Sequence, residues 1–187
     1  MRRGFKADAE RRAIDARAEL GIGATGPLCP WTYAAHRDVL VYEAKDLALP
    51  DEHMRQLLVR DPDSWSGMTL TEDGVHLVVL NSAHSRARRA ATLMHEIAHI
   101  DLDHPPAEVS VSPSGLVLLS DYSADQEDEA DWLGAALLLP EPALLHHRGQ
   151  GRTIASIAAD YGVSEALCNW RCRMTGVEKR LAFKRRA

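Results

Sequence analysis

The chain is short of cysteine, of long apolar runs and of repetition, and each shortage excludes something. Its three cysteines, Cys29, Cys168 and Cys172, are odd in number and lack CxxC spacing. That argues against a disulfide scaffold and for a reducing, cytoplasmic setting. No apolar stretch approaches the roughly 18–20 residues a membrane helix needs, so no membrane association is expected. Residues 1–12 alternate charged residues with alanine and have no apolar core, so no secretory signal is expected there. Internal repeats and low-complexity tracts are also missing. With 45% apolar residues among 187, wholesale disorder is excluded, and one ordinary globular domain with or without a small appendage is expected.

What is present is unevenly spread. Residues 1–19 carry six basic and four acidic groups, residues 20–147 seven and twenty, and residues 148–187 nine and three. The bland net charge of −5 is thus a sum of unlike parts, and it divides the chain into a body, 1–147, and a basic module, 148–187. Along the body, residues 5–20 space Phe5, Ala9, Ala13, Ile14, Ala16 and Leu20 as an amphipathic helix ending at Gly21. Residues 31–36 predict a short helix, 37–43 a strand, and a further helix opens near Asp51. Two strands between Trp65 and Asn81 are joined by Asp73-Gly74, a hairpin signal. The second of them, residues 75–81, is either an edge strand able to hold an extended peptide or an interior strand buried on both faces. Residues 85–103 predict a helix starting at Ser85 and stopped by Pro105-Pro106. An irregular hairpin around Ser112–Gly115 follows, then a helix over about 123–139, capped by Ser123 and ended at Pro140.

The chemistry sits in the helix 85–103, which contains His95-Glu96-Ile97-Ala98-His99. Histidines at i and i+4 share one helix face about 6 Å apart, so both imidazoles reach a single metal ion. Glu96 projects away from them, close enough to take a proton from water activated by zinc. Two histidines leave a catalytic zinc one protein ligand short. His104 fails as the third ligand on the HExxHxxGxxH pattern, because Leu102 and Pro105 stand where glycine and histidine are required. The acidic run 121–131 offers the alternatives. Glu127 and Asp131 are i, i+4 neighbours on a face with Ala130, Gly134 and Leu138, whose small members let another helix approach. A Glu-x-x-x-Asp pair is similar to that of thermolysin-like enzymes, in which the glutamate ligates zinc and the aspartate orients a ligand histidine. Glu127 is therefore the expected third ligand, Asp131 the orienter of His95 or His99, and Glu129 the reserve ligand. Tyr122, His84 and Tyr42 are the available types for an oxyanion donor, with Tyr122 carried as the candidate.

HEIAH followed by EDEADWLGAALLLP resembles the ImmA/IrrE family of metallopeptidases, which pairs an HExxH helix with an E-x-x-A-[DN]-x-x-A-x-x-L-L-x-P helix. Glu127, Ala130, Asp131, Leu137, Leu138 and Pro140 fall on this pattern, while Gly134 and Leu133 stand where the family usually has alanine and phenylalanine, both mild changes. The resemblance implies an α+β, zincin-like fold with a small β-sheet, the HExxH helix and a helical C-terminal module. It also implies one catalytic Zn2+ and a protein substrate, a helix-turn-helix repressor. The C-terminal IASIAADYGVSEALCNW itself resembles a helix-turn-helix, turning near Ala158, Gly162 and Val163, with Ser164 as the second cap. The usually buried positions of its second helix hold Cys168 and Arg171, the arginine departing from the pattern, and the helix offers base edges a mixed set, Glu165, Asn169, Arg171 and Arg173. Packing or partner docking is the expected role of 148–187, and DNA contact the less favoured one. Cys168 and Cys172, one turn apart, are expected to be buried thiols. The expected activity is therefore zinc-dependent proteolysis with Glu96 as the base. The rival is a non-proteolytic zinc-containing regulator that binds DNA or a repressor through its C-terminal module.

Overall fold

A computed structural model describes residues 1–105, 109–111, 117–119 and 122–184. It is a mixed α+β structure built on a three-stranded sheet. Helix α1 (Phe5–Glu19) buries Phe5, Ala9, Ala13 and Ala16, so an almost smooth alanine face lets another helix lie close. Helix α2 (Pro30–His36) opens on Pro30, whose missing N–H costs nothing in a first turn. Strand β1 (Val39–Glu43) follows, and then a single turn of helix, α3 (Asp51–Arg55), continues as a wider turn over Gln56–Arg60 rather than as a regular helix. Strands β2 (Gly67–Glu72) and β3 (Val75–Leu80) pair antiparallel. Asp73 and Gly74 between them take φ values of 50° and 79°, the backbone that a two-residue type I′ turn demands.

The sheet order is β1-β3-β2, with β1 parallel to β3. The strand at 75–80 is therefore interior, and among the described residues the edges of this sheet are β1 and β2. Helix α4 (Arg86–Asp101) is capped by the Ser85 hydroxyl, which accepts from the Arg88 N–H. It stops at Asp101, before 103 and well before the prolines. Asp103 turns left-handed with φ 52°, and the His104 N–H reaches back to the His99 carbonyl while the Asp103 N–H reaches Ile100. These are the two closing bonds of a Schellman motif. Strands β4 (Val109–Val111) and β5 (Val117–Leu119) pair antiparallel; the expected turn at Ser112–Gly115 lies outside the described residues.

Helix α5 (Ala124–Leu138) begins with a complete capping box between Ser123 and Gln126. Its second half is buried all round, from Trp132 to Leu138, because α4, α1 and a C-terminal helix surround it. Helix α6 (Glu141–Gly149) was not foreseen; it spans residues 147 and 148, between which the charge pattern divides the chain. Helices α7 (Ile154–Tyr161) and α8 (Glu165–Thr175) are split at Gly162, left-handed at φ 63°, and α8 is capped by Ser164. A last helix, α9 (Val177–Lys184), occupies part of the basic end. One apolar cluster runs from Phe5 through Leu93, Ile97, Leu133 and Leu137 to Ile157, Cys168 and Val177. Cys168 and Cys172 are free and buried, as the sequence led us to expect. Among the described residues no helix is long and apolar enough to cross a membrane.

Candidate metal centre

The site is made by the approach of α5 to α4. A Cβ placed on Gly134 would lie 2.9 Å from the Met94 carbonyl oxygen and 3.0 Å from the His95 nitrogen, so the two backbones touch there. Asp131 and Glu127 lie one and two turns earlier on the same face of α5, and this contact carries them over the histidines. Exchanging Gly134 for the alanine usual in the resembling family is thus not a mild difference in this chain. The close approach requires glycine. Gly134→Val is expected to destabilise the protein by about 1–3 kcal/mol through overpacking, measured by urea unfolding. A variant as stable as the parent would show that α4 and α5 are free to separate.

His95 Nε2 and His99 Nε2 lie 3.1 Å apart. The Glu127 carboxylate stands 3.3 Å from the first and 3.7 Å from the second. An ion held tetrahedrally at about 2.0–2.1 Å keeps its donors about 3.3–3.4 Å apart, so this triangle has the size of a zinc site. The donor chemistry fits as well: two imidazole nitrogens and a carboxylate oxygen converge, all within 4.8 Å of one another. Asp131 Oδ1 accepts from His95 Nδ1 at 2.9 Å, which leaves Nε2 as the lone-pair nitrogen facing the site. Burial disfavours charge on His95, but the Asp131 hydrogen bond and the nearby carboxylates Glu96 and Glu127 outweigh it and raise its pKa. For His99 burial dominates, aided by His95 and His104, and its pKa falls to about 3. His99 is therefore neutral and ready to donate a lone pair throughout the physiological range.

Glu96 lies beside this triangle. Burial raises its carboxyl pKa, and a hydrogen bond from Thr69 Oγ1 at 2.5 Å partly opposes the shift. Thr69 was missed in the sequence, and no local signal marks it: it reaches Glu96 only because β2 lies along α4. Tyr122 stacks on the His99 ring, with centroids 3.7 Å apart and planes 20° apart. Thr69, Thr71, His99, His104 and Tyr122 share the lining of a cavity of about 220 Å³. The other two oxyanion candidates are elsewhere: His84 Nε2 sits on the Pro62 carbonyl at 3.0 Å, and Tyr42 is half exposed on β1, the strand edge remote from β2. Glu129 is 4% exposed and turns away from the triangle toward Arg2 and His104. His104 places Nδ1 2.9 Å from His99 Nδ1, on the side of that ring opposite the triangle.

Residues 45–173 match the family model Peptidase_M78, the IrrE N-terminal-like domain, over well more than half of the chain. The chain belongs to this family. Among curated proteins, none matches it. Membership in Peptidase_M78 carries metallopeptidase chemistry in general, and α4 and α5, which build the triangle, both lie inside the matched segment. So do β2, with Thr69, and most of α8.

Proposed function

We propose that the chain is a zinc-dependent endopeptidase that hydrolyses a peptide bond in a protein partner, a helix-turn-helix transcriptional repressor in the cytoplasm. The observation that carries this reading is the convergence of His95, His99 and Glu127, with Glu96 alongside. His95, His99 and Glu127 would hold the zinc, and Asp131 would fix the His95 ring. When bound, the ion supplies Lewis acidity that lowers the pKa of water and polarises a carbonyl. Glu96 takes the proton of the attacking water and passes it to the departing amide nitrogen. Its raised pKa brings it nearer to neutrality, where such a base works best. Thr69 holds that carboxylate in place. The substrate backbone would lie along β2, whose Thr69 and Thr71 line the cavity beside His99, as an added strand. Tyr122 is the donor we assign to the developing oxyanion. The overall plan, with a sheet edge beside an HExxH helix and a third ligand from the next helix, is zincin-like.

The test is to purify the chain, measure its metal and incubate it with helix-turn-helix repressors encoded beside it. About one zinc per chain and a discrete cleavage abolished by a chelator are expected. A chain free of metal, or a metal-loaded chain that leaves those repressors intact, would overturn the metal or the substrate assignment respectively.

The C-terminal module reads as a docking element. Arg148, Arg152, Arg171 and Arg180, four of the residues that make it basic, pair with Glu178, Asp160, Glu10 and Glu141. Arg171, which the sequence placed at a usually buried position and also counted among the side chains for base contact, is fully buried. In a gel shift the full-length chain is therefore expected to show no salt-sensitive binding to duplex DNA at physiological ionic strength. A specific, salt-sensitive shift would favour the non-proteolytic DNA-binding reading.

A further inference from the structure

We propose that His104, Glu129 and Arg2 form a chain of positioning residues that fixes His99, as Asp131 fixes His95. This rests on the reading of His99 as a metal ligand.

For His99 to present a lone pair at Nε2, its proton must sit on Nδ1, and a buried N–H needs an acceptor. In this structure His104 Nδ1 faces it at 2.9 Å. His104 can accept there only as the tautomer protonated at Nε2. That nitrogen faces Glu129 Oε2 at 3.8 Å, too far for a hydrogen bond but close enough for the carboxylate to favour a proton on that side. Glu129 is itself clamped from the N-terminal segment: the Arg2 backbone N–H donates to Oε1 at 2.7 Å, the Arg2 Nε at 3.1 Å, and Nη2 stands 2.9 Å from Oε2. The Schellman turn completes the arrangement, since the His104 N–H is bonded to the carbonyl of His99, the residue its ring contacts. A buried glutamate and a histidine five residues past His99 are thus accounted for without either being a ligand. The two ligand histidines differ in their support: the side chain of Asp131 is 70% exposed, that of Glu129 only 5%.

The experiment uses the full chain, loaded with zinc or cobalt(II), carrying His104→Phe, His104→Gln, Glu129→Gln or, as a control, His99→Ala. Zinc affinity is measured by competition with a chromophoric chelator, and the cobalt absorption bands report ligand geometry. His104→Phe fills the space without an acceptor, and its zinc affinity is expected to fall about 10–100-fold, with altered cobalt bands. His104→Gln, whose amide oxygen can accept from His99 Nδ1, is expected to recover most of that loss. Glu129→Gln is expected to lie between. If His99→Ala abolishes zinc binding while His104→Phe keeps the parent affinity and spectrum, the positioning chain is overturned and the site stands. If His99→Ala binds zinc as well as the parent, the metal-site reading itself fails. Should His104→Phe not fold, the glutamine variants decide: a His104→Gln variant that is folded but as weak as His99→Ala would assign His104 to packing and overturn the proposal.

Discussion

Replacing Glu96 with glutamine is expected to lower peptide hydrolysis by about 10²–10⁴-fold, the usual contribution of a general base, while the protein retains its zinc. Glutamine has the same shape and can still accept from the Thr69 hydroxyl, so β2 and α4 keep their relation. The three donors are untouched, because Glu96 is not one of the residues whose ligand atoms converge. What is lost is the ability to take a proton, since an amide NH2 replaces the carboxylate oxygen that Thr69 does not hold. The measurement is the single-turnover cleavage rate of the repressor partner, with metal content determined on the same sample. A variant that cleaves at the parent rate with a full complement of zinc would sink the mechanism. A variant that loses its zinc would instead place Glu96 among the ligands.

Arg171→Met is expected to cost about 3–5 kcal/mol of folding stability, the range for breaking a buried charge pair from one side. Helix α5 ends inside the protein, where its last carbonyls have no water to turn to. Arg17, fully buried on α1, donates to the Leu137 and Leu138 carbonyls at 2.9 and 3.3 Å. Arg171, fully buried on α8, donates to the Leu139 carbonyl at 3.0 Å and pairs with Glu10 of α1. Two arginines from opposite ends of the chain thus close the helix that carries Glu127. Methionine keeps much of the volume of Arg171 but takes the guanidinium from Glu10 Oε1, leaving that carboxylate only the Glu141 N–H on Oε2, and leaves the Leu139 carbonyl unmet. Urea unfolding reads the loss, and the double variant Arg171→Met with Glu10→Gln is expected to recover part of it. A loss below about 1 kcal/mol would show that water reaches this end of α5.

The HExxH face and the Glu127–Asp131 face were legible in the sequence because each is a matter of spacing within one helix, and a helix repeats every 3.6 residues whatever surrounds it. The caps at Ser85, Ser123 and Ser164 and the hairpin at Asp73-Gly74 were legible for the same reason: their chemistry is satisfied by residues two to four positions away. Helix α6 was missed because its start lies in a proline-rich stretch that reads as a stop. The end of α4 was placed too late because the prolines at 105–106 mask a stop made earlier by a left-handed aspartate. The role of β3 as an interior strand depended on β1 arriving in parallel, and nothing in residues 75–80 encodes that neighbour.

By itself, then, the sequence determined which side chains are the candidates for the chemistry and on which helical faces they lie. The tertiary structure decided what each of them faces. The contact at Gly134 is what brings Glu127 and Asp131 over His95. Only the lie of β2 sets Thr69 on Glu96, and only the turn at Asp103 folds His104 back on His99 with Glu129 behind it. The physical reason is range: periodicity and capping act within a turn of helix, whereas these partners are brought together by burying a common core.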